Sequence, residues 1–113
     1  MTDAKLLVCI IEKDDHLDDV LEALVEVGIT GATIVNTRGM FEYLADEIPL
    51  FAGFRNLIED HNPTNKMVLS VIRNQERLNL AMDTIESVYG SFQEPNSGIM
   101  FSLDIGNLRG LKF

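Results

Sequence analysis

At 113 residues the chain has room for one hydrophobic core and none for a second domain, and a 46% hydrophobic content with a mean hydropathy of +0.09 is too apolar for a disordered polymer. Eighteen acids against nine bases give a net charge of −9, which argues against a nucleic-acid partner because a polyphosphate backbone would repel the chain. The longest aliphatic run, residues 6–11, is far too short to cross a bilayer, and the first five residues lack the basic start and small-residue exit of a secretory signal, so a cytoplasmic protein is expected.

Residues 6–11 form a nearly continuous apolar run that reads as a strand buried on both faces, and it passes directly into the polar cluster Glu12-Lys13-Asp14-Asp15. Cys9, the only cysteine, lies inside that run, where a buried thiol behaves as a small hydrophobe and no disulfide framework or multi-cysteine zinc site can form. A helix should follow. Asp14 or Asp15 can cap it, Asp18 and Asp19 suit the positive end of its dipole, and Leu17, Val20, Leu21, Leu24 and Val27 recur at helical spacing until Gly28 ends it in the left-handed conformation. Residues 32–37 are β-branched and roughly alternating, which predicts a second strand.

The same grammar returns downstream. Residues 67–72 read as a third strand, Asn74 as a cap, and Leu78, Ala81, Met82, Ile85 and Val88 as a second amphipathic helix before Gly90; Ile99, Phe101, Leu103 and Ile105 alternate as a fourth strand. A shift of 61 positions lays Leu17 on Leu78, Val20 on Ala81, Leu21 on Met82, Leu24 on Ile85 and Val27 on Val88. Two such halves predict an α+β domain spanning residues 1–113, a ferredoxin-like βαββαβ fold with a four-stranded antiparallel sheet and two helices on one face. The other sheet face is left bare although the strands are apolar on both sides, so self-association into a closed oligomer is expected.

Residues 38–65 join the second strand to the third where a hairpin of roughly two to five residues would serve. This long insert holds half of the eight aromatic residues, and Met40–Glu47 and residues 50–59, separated by Pro49, read as two short helices, with Leu50, Phe54, Leu57 and Ile58 sharing a face. That face either covers the domain itself or a neighbouring copy, or it is a recognition element; Phe41, Tyr43, Phe51, Phe54 and Arg55 are the candidate partner-binding residues.

Residues 22–34, reading EALVEVGITGATI, Arg38-Gly39 at the start of the insert, and Gly98-Ile99-Met100-Phe101 at the start of the fourth strand together resemble the PII signal-transduction family, the nitrogen-regulatory type, over nearly the whole chain. The three segments are similar, in that order, to the family's helix-to-strand passage, the opening of its T-loop and the entry of its B-loop into the last strand. The resemblance implies a homotrimer that binds an adenine nucleotide, ATP, ADP or AMP, in clefts between subunits and reports to a membrane transporter or regulated enzyme through the T-loop. It assigns Gly31, Ala32, Thr33, Arg38, Gly39, Met40 and Gly98 to the cleft, with Arg109 as a phosphate partner; glycines allow close backbone approach and a guanidinium gives bidentate donors. Ile99 stands where the family has a lysine for phosphate, and one arginine stands near the C-terminus where two are usual.

Enzyme signatures are absent: there is no phosphate loop with Lys-Ser/Thr, no dinucleotide fingerprint and no glycine-flanked serine, so no catalysis is expected. His16 among Asp14, Asp15, Asp18 and Asp19, and His61 beside Glu59 and Asp60, are better explained as a helix start and a solvated turn than as metal sites. Two alternatives stand beside the nucleotide sensor: a nucleotide-independent interaction module, and a metal-binding trimer resembling the copper-tolerance CutA proteins.

Overall fold

The computed structural model describes residues 2–12, 16–54, 65–90, 92–93 and 98–111. The aliphatic run becomes β1 (Lys5–Ile11), and alternate side chains Leu7, Cys9 and Ile11 are fully buried against the helices. Helix α1 (Leu17–Glu26) follows, with His16 as an N-cap that makes no side-chain capping bond; the expected caps Asp14 and Asp15 lie outside the described residues. Gly28 ends it at φ 83°, where its N–H donates to the Val25 carbonyl at 3.0 Å and the Ile29 N–H donates to Leu24 at 2.9 Å. That pair of bonds satisfies carbonyls the helix end would otherwise leave unpaired, and glycine is the residue that takes the turn without a Cβ penalty.

β2 (Thr33–Thr37) starts one residue later than the β-branched pattern implies, leaving Ala32 in the approach. Helix α2 (Met40–Glu47) forms where the insert predicts it. Of the second insert helix, expected over residues 50–59, the described part lies in the 3-10 helix Pro49–Phe54, where the Phe51 N–H donates to the Ile48 carbonyl at 2.9 Å; residues 55–59 lie outside the described residues. Leu50 is 84% exposed, while Leu57 and Ile58 lie outside the described residues.

The second half is built from β3 (Asn65–Ile72), α3 (Gln75–Tyr89) and β4 (Gly98–Asp104). Asn74 caps α3 by accepting the Arg77 N–H at 2.8 Å, and Gly90, at φ 103°, ends it. Ile105, expected within the last strand, follows it instead and donates its N–H to Ala4 at 3.1 Å. Val88 is also corrected: it is exposed, and Tyr89 is buried in its stead. The tyrosine lies four residues after the buried Ile85, on the same stripe, and its ring stacks on Phe92 with centroids 4.9 Å apart.

The strands run in the order β2-β3-β1-β4, every neighbouring pair antiparallel, which is the expected ferredoxin-like arrangement. Cys9 pairs with Val68 on one side and Met100 on the other, fixing the helix-covered face. On it α1 and α3 pack together, and the equivalent pairs Val20/Ala81 and Leu24/Ile85 of the two halves are all buried. The neighbouring register, Val8 opposite Leu69 and Phe101, defines the other face. There Ile99, Phe101 and Leu103 present large apolar side chains to solvent at 54, 38 and 54% exposure.

Candidate functional site

A cleft of about 490 Å³ opens where the turn after α1 passes the junction of β3 and α3. Residues 28–33 line one part of it, Leu69, Val71 and Ile72 of β3 with Arg73 and Arg77 line another, and Leu111 of the tail also lines it. Two side-chain bonds set this geometry. Ser70, 2% exposed, donates from Oγ to the Gly31 carbonyl at 2.7 Å, and Arg77 donates from Nη1 to the Val27 carbonyl at 2.6 Å. The extended segment therefore holds its shape by giving two backbone acceptors to the neighbouring elements. Gly31 adds space: a methyl in place of its hydrogen would meet nothing within 4 Å.

The structure brings Gly31, Ala32 and Thr33 together in this cleft and places the remaining predicted ligand residues elsewhere. Arg38 is fastened to α2. Its Nη2 donates to Asp46 at 2.7 Å and its Nη1 to Glu47 at 3.1 Å, and its guanidinium lies 5.3 Å from the centroid of the Tyr43 ring. The hydrogen bond to Asp46, then that to Glu47, raises its pKa further. Gly39 is the N-cap of α2, at an ordinary φ of −75°, and Met40 opens the helix with its side chain 69% exposed.

Gly98 begins β4 opposite Ile11, at the other end of β1 from the cleft residue Leu6. Its φ of 114° and the crowding of any Cβ against the Ile10 carbonyl make it a position for glycine alone. Arg109 is exposed and outside the cleft lining, although Leu111, two residues on, belongs to it. Of the candidate partner-binding residues, Tyr43 is 51% exposed and Phe51 half-buried. Phe41 lies in the first turn of α2, Phe54 ends the 3-10 turn, and Arg55 lies outside the described residues.

Sequence reasoning missed Arg73, Arg77 and the structural part of Ser70. A signal was available: Arg73 follows the third strand directly and Arg77 lies three residues past the Asn74 cap, so the strand-to-helix junction puts both on one wall. Among the described residues no group of three or more His, Cys, Asp and Glu side chains is placed to hold a metal. His16 contacts Asp19 at 3.5 Å and meets the Tyr89 ring edge-on at 5.6 Å, a packed helix start; His61 lies outside the described residues. Cys9 is fully buried, and burial pushes its thiol up to about 12, far from a reactive thiolate. No helix among the described residues is long and apolar enough to cross a membrane.

The two-fold βαβ sheet with one bare face and a cleft beside the second strand is the architecture of a small ferredoxin-like binding domain. The family profile of nitrogen regulatory protein P-II matches residues 4–111, and the chain belongs to that family. Its fold is also that of Arabidopsis thaliana PII, solved as a crystal structure bound to citrate: the TM-score is 0.64 at 18% identity, covering 92% of this chain and 78% of the plant protein. A comparison with curated protein sequences gives no match.

Proposed function

We propose that this protein is a cytoplasmic regulator, without catalytic activity of its own, that senses an adenine nucleotide and reports its state to a partner protein. The observation that carries the reading is the cleft walled by Gly31, Ala32 and Thr33, in a chain of the P-II family. An apolar β-strand lining suits a base, and a volume of this size is within the roughly 300–1,000 Å³ of small-molecule sites.

The bare face of the sheet favours a homotrimer, since Ile99, Phe101 and Leu103 would gain most from being covered by copies of the chain. In such an assembly Gly98 and Arg109, which do not line the cleft within one chain, would meet the cleft of a neighbour. Arg38, Gly39 and Met40 connect the cleft strand β2 to α2, so the insert of residues 38–65 is the route by which occupancy reaches a transporter or enzyme. Exposed Met40, Tyr43 and Leu50 give it apolar contact points. Citrate, the ligand of the Arabidopsis protein, is a competing small anion for this cleft.

Native mass spectrometry of the purified protein, followed by calorimetry with ATP, ADP, AMP and citrate, tests the reading. A trimer that binds one of the nucleotides saturably is the expected result. A folded monomer with no heat from any nucleotide would remove it.

A further inference from the structure

The chain beyond β4 reaches the cleft and is held there by very little. Its root is fixed: the Ile105 N–H donates to the Ala4 carbonyl at 3.1 Å, and the Thr2 hydroxyl donates to the Ile105 carbonyl. From Gly106 to Leu111 no hydrogen bond joins the tail to any described residue. Gly106, Asn107, Arg109 and Gly110 are exposed and Leu108 is half-buried. Leu111 nevertheless lines the cleft with Leu6, Leu69 and Val71 of the sheet, while 46% of it stays open to solvent.

The path of the tail is set by the strand order. It leaves β4 at Asp104, opposite Lys5, one register position from the cleft residues Leu6 and Val71 that face each other across β1 and β3. Because β1 lies between β4 and β3, the tail crosses two strand spacings, about 10 Å, to reach the level of β3. The six steps from Ile105 to Leu111 can extend to roughly 20 Å, so the tail has slack. Gly110 then turns it, at a φ of 93° that favours glycine, although a Cβ there would meet nothing within 4 Å. That glycine serves the direction of the chain and not its packing, and the residue it directs is Leu111.

We propose that residues 106–111 are a strap on the cleft, with Leu111 as its movable apolar piece, and that a small molecule bound in the cleft orders the strap and is retained by it. A segment fixed at its root, without hydrogen bonds along its length and meeting the cleft through one half-exposed leucine, opens at low cost. A ligand that adds contact to Leu111 favours the closed arrangement, and the closed strap in turn slows the ligand's exit. To gain from a leucine the ligand needs an apolar face, such as a purine ring presents. That the ligand is a nucleotide rests on the reading given under Proposed function; the strap rests on the tail's own contacts.

The test uses the full-length protein with Leu111→Ser and Gly110→Ala beside it. It reads the 15N–1H heteronuclear NOE over residues 106–111, free and with excess AMP, and the stopped-flow release of etheno-AMP, a fluorescent analogue. In the free protein both variants should lower the NOE values of the strap and leave those of β1 and β3 unchanged, and AMP should raise the strap values of the parent. Leu111→Ser should speed release about tenfold with association unchanged, as expected when much of a leucine's contact is lost. Gly110→Ala keeps the leucine and strains the turn, so it should act in the same direction by a smaller factor.

Strap values as high as those of β1 in the free parent, and unchanged in both variants, would overturn the proposal. AMP binding that leaves the tail as mobile as before, with Leu111→Ser releasing the analogue at the parent's rate, would overturn it too and leave the nucleotide reading standing. A tail that loosens in both variants of a protein that binds no nucleotide would support the movable strap and remove that reading.

Discussion

Ser70 Oγ donates to the Gly31 carbonyl at 2.7 Å, so a serine from the middle of β3 anchors the approach to β2 by a single bond at the edge of the cleft. The serine is almost fully buried, and replacing it by alanine would leave that carbonyl without its side-chain donor. Ser70→Ala should cost about 1–2 kcal/mol in urea unfolding. It should also weaken ligand binding, because the wall formed by Gly31 to Thr33 would lose its anchor; a variant with unchanged stability would show that the bond contributes little.

Gly98 and Gly31 should respond to the same substitution in opposite ways. At Gly98 a Cβ would collide with the Ile10 carbonyl and force a side chain into positive φ, so Gly98→Ala should lose about 2–3 kcal/mol. At Gly31 the added methyl meets no atom, and Gly31→Ala should melt within a few degrees of the parent while lowering affinity for the cleft ligand. Thermal melts paired with calorimetry separate the two.

The Arg38 fork ties the end of β2 to the last turn of α2 through Asp46 and Glu47. These are solvent-accessible ion pairs, and such pairs contribute little to global stability. Arg38→Gln should therefore leave the unfolding midpoint unchanged and raise amide exchange across Met40–Glu47 several-fold, since local opening is sensitive to contacts that global unfolding barely registers. Uniform exchange in both proteins would mean that α2 is held by other contacts.

Cys9 gives a pH dependence with a definite sign. Its thiol ionises near 9.0 when exposed and near 12 in the folded protein, so between those values the native state holds the proton that the unfolded chain has released. Stability is fully present below pH 9 and falls as pH rises toward 12, by about 1.4 kcal/mol per pH unit from this group. Cys9→Ala should flatten that alkaline loss in denaturant titrations, at the expense of a small cavity at neutral pH.

Much of the framework was readable from local pattern. The apolar run that became β1, the glycine stop at Gly28 and the Asn74 cap depend on neighbours within one or two turns, and each was found where composition placed it. The Val88 to Tyr89 exchange was not, because helical spacing permits either residue and the stack on Phe92 is a tertiary contact. Nor was the 3-10 winding of residues 49–54, because apolar spacing over so short a stretch does not separate i→i+3 from i→i+4 pairing. For the site, the backbone wall at Gly31 to Thr33 was legible through its family-like segment, whereas the pairing of that wall with Arg73 and Arg77 requires knowing that β3 lies beside β2. Arg38 was expected at a ligand and is occupied by its own helix, since nothing in linear order shows which carboxylates will fold back onto it.

With its lone sulfhydryl sealed in the interior, the protein arrives already suited to site-specific spectroscopy. A cysteine introduced at Thr33 or Tyr43, both open to solvent, would take a maleimide dye or spin label alone. Fluorescence or distance measurements on α2 could then follow its movement in the native molecule without first removing any natural residue.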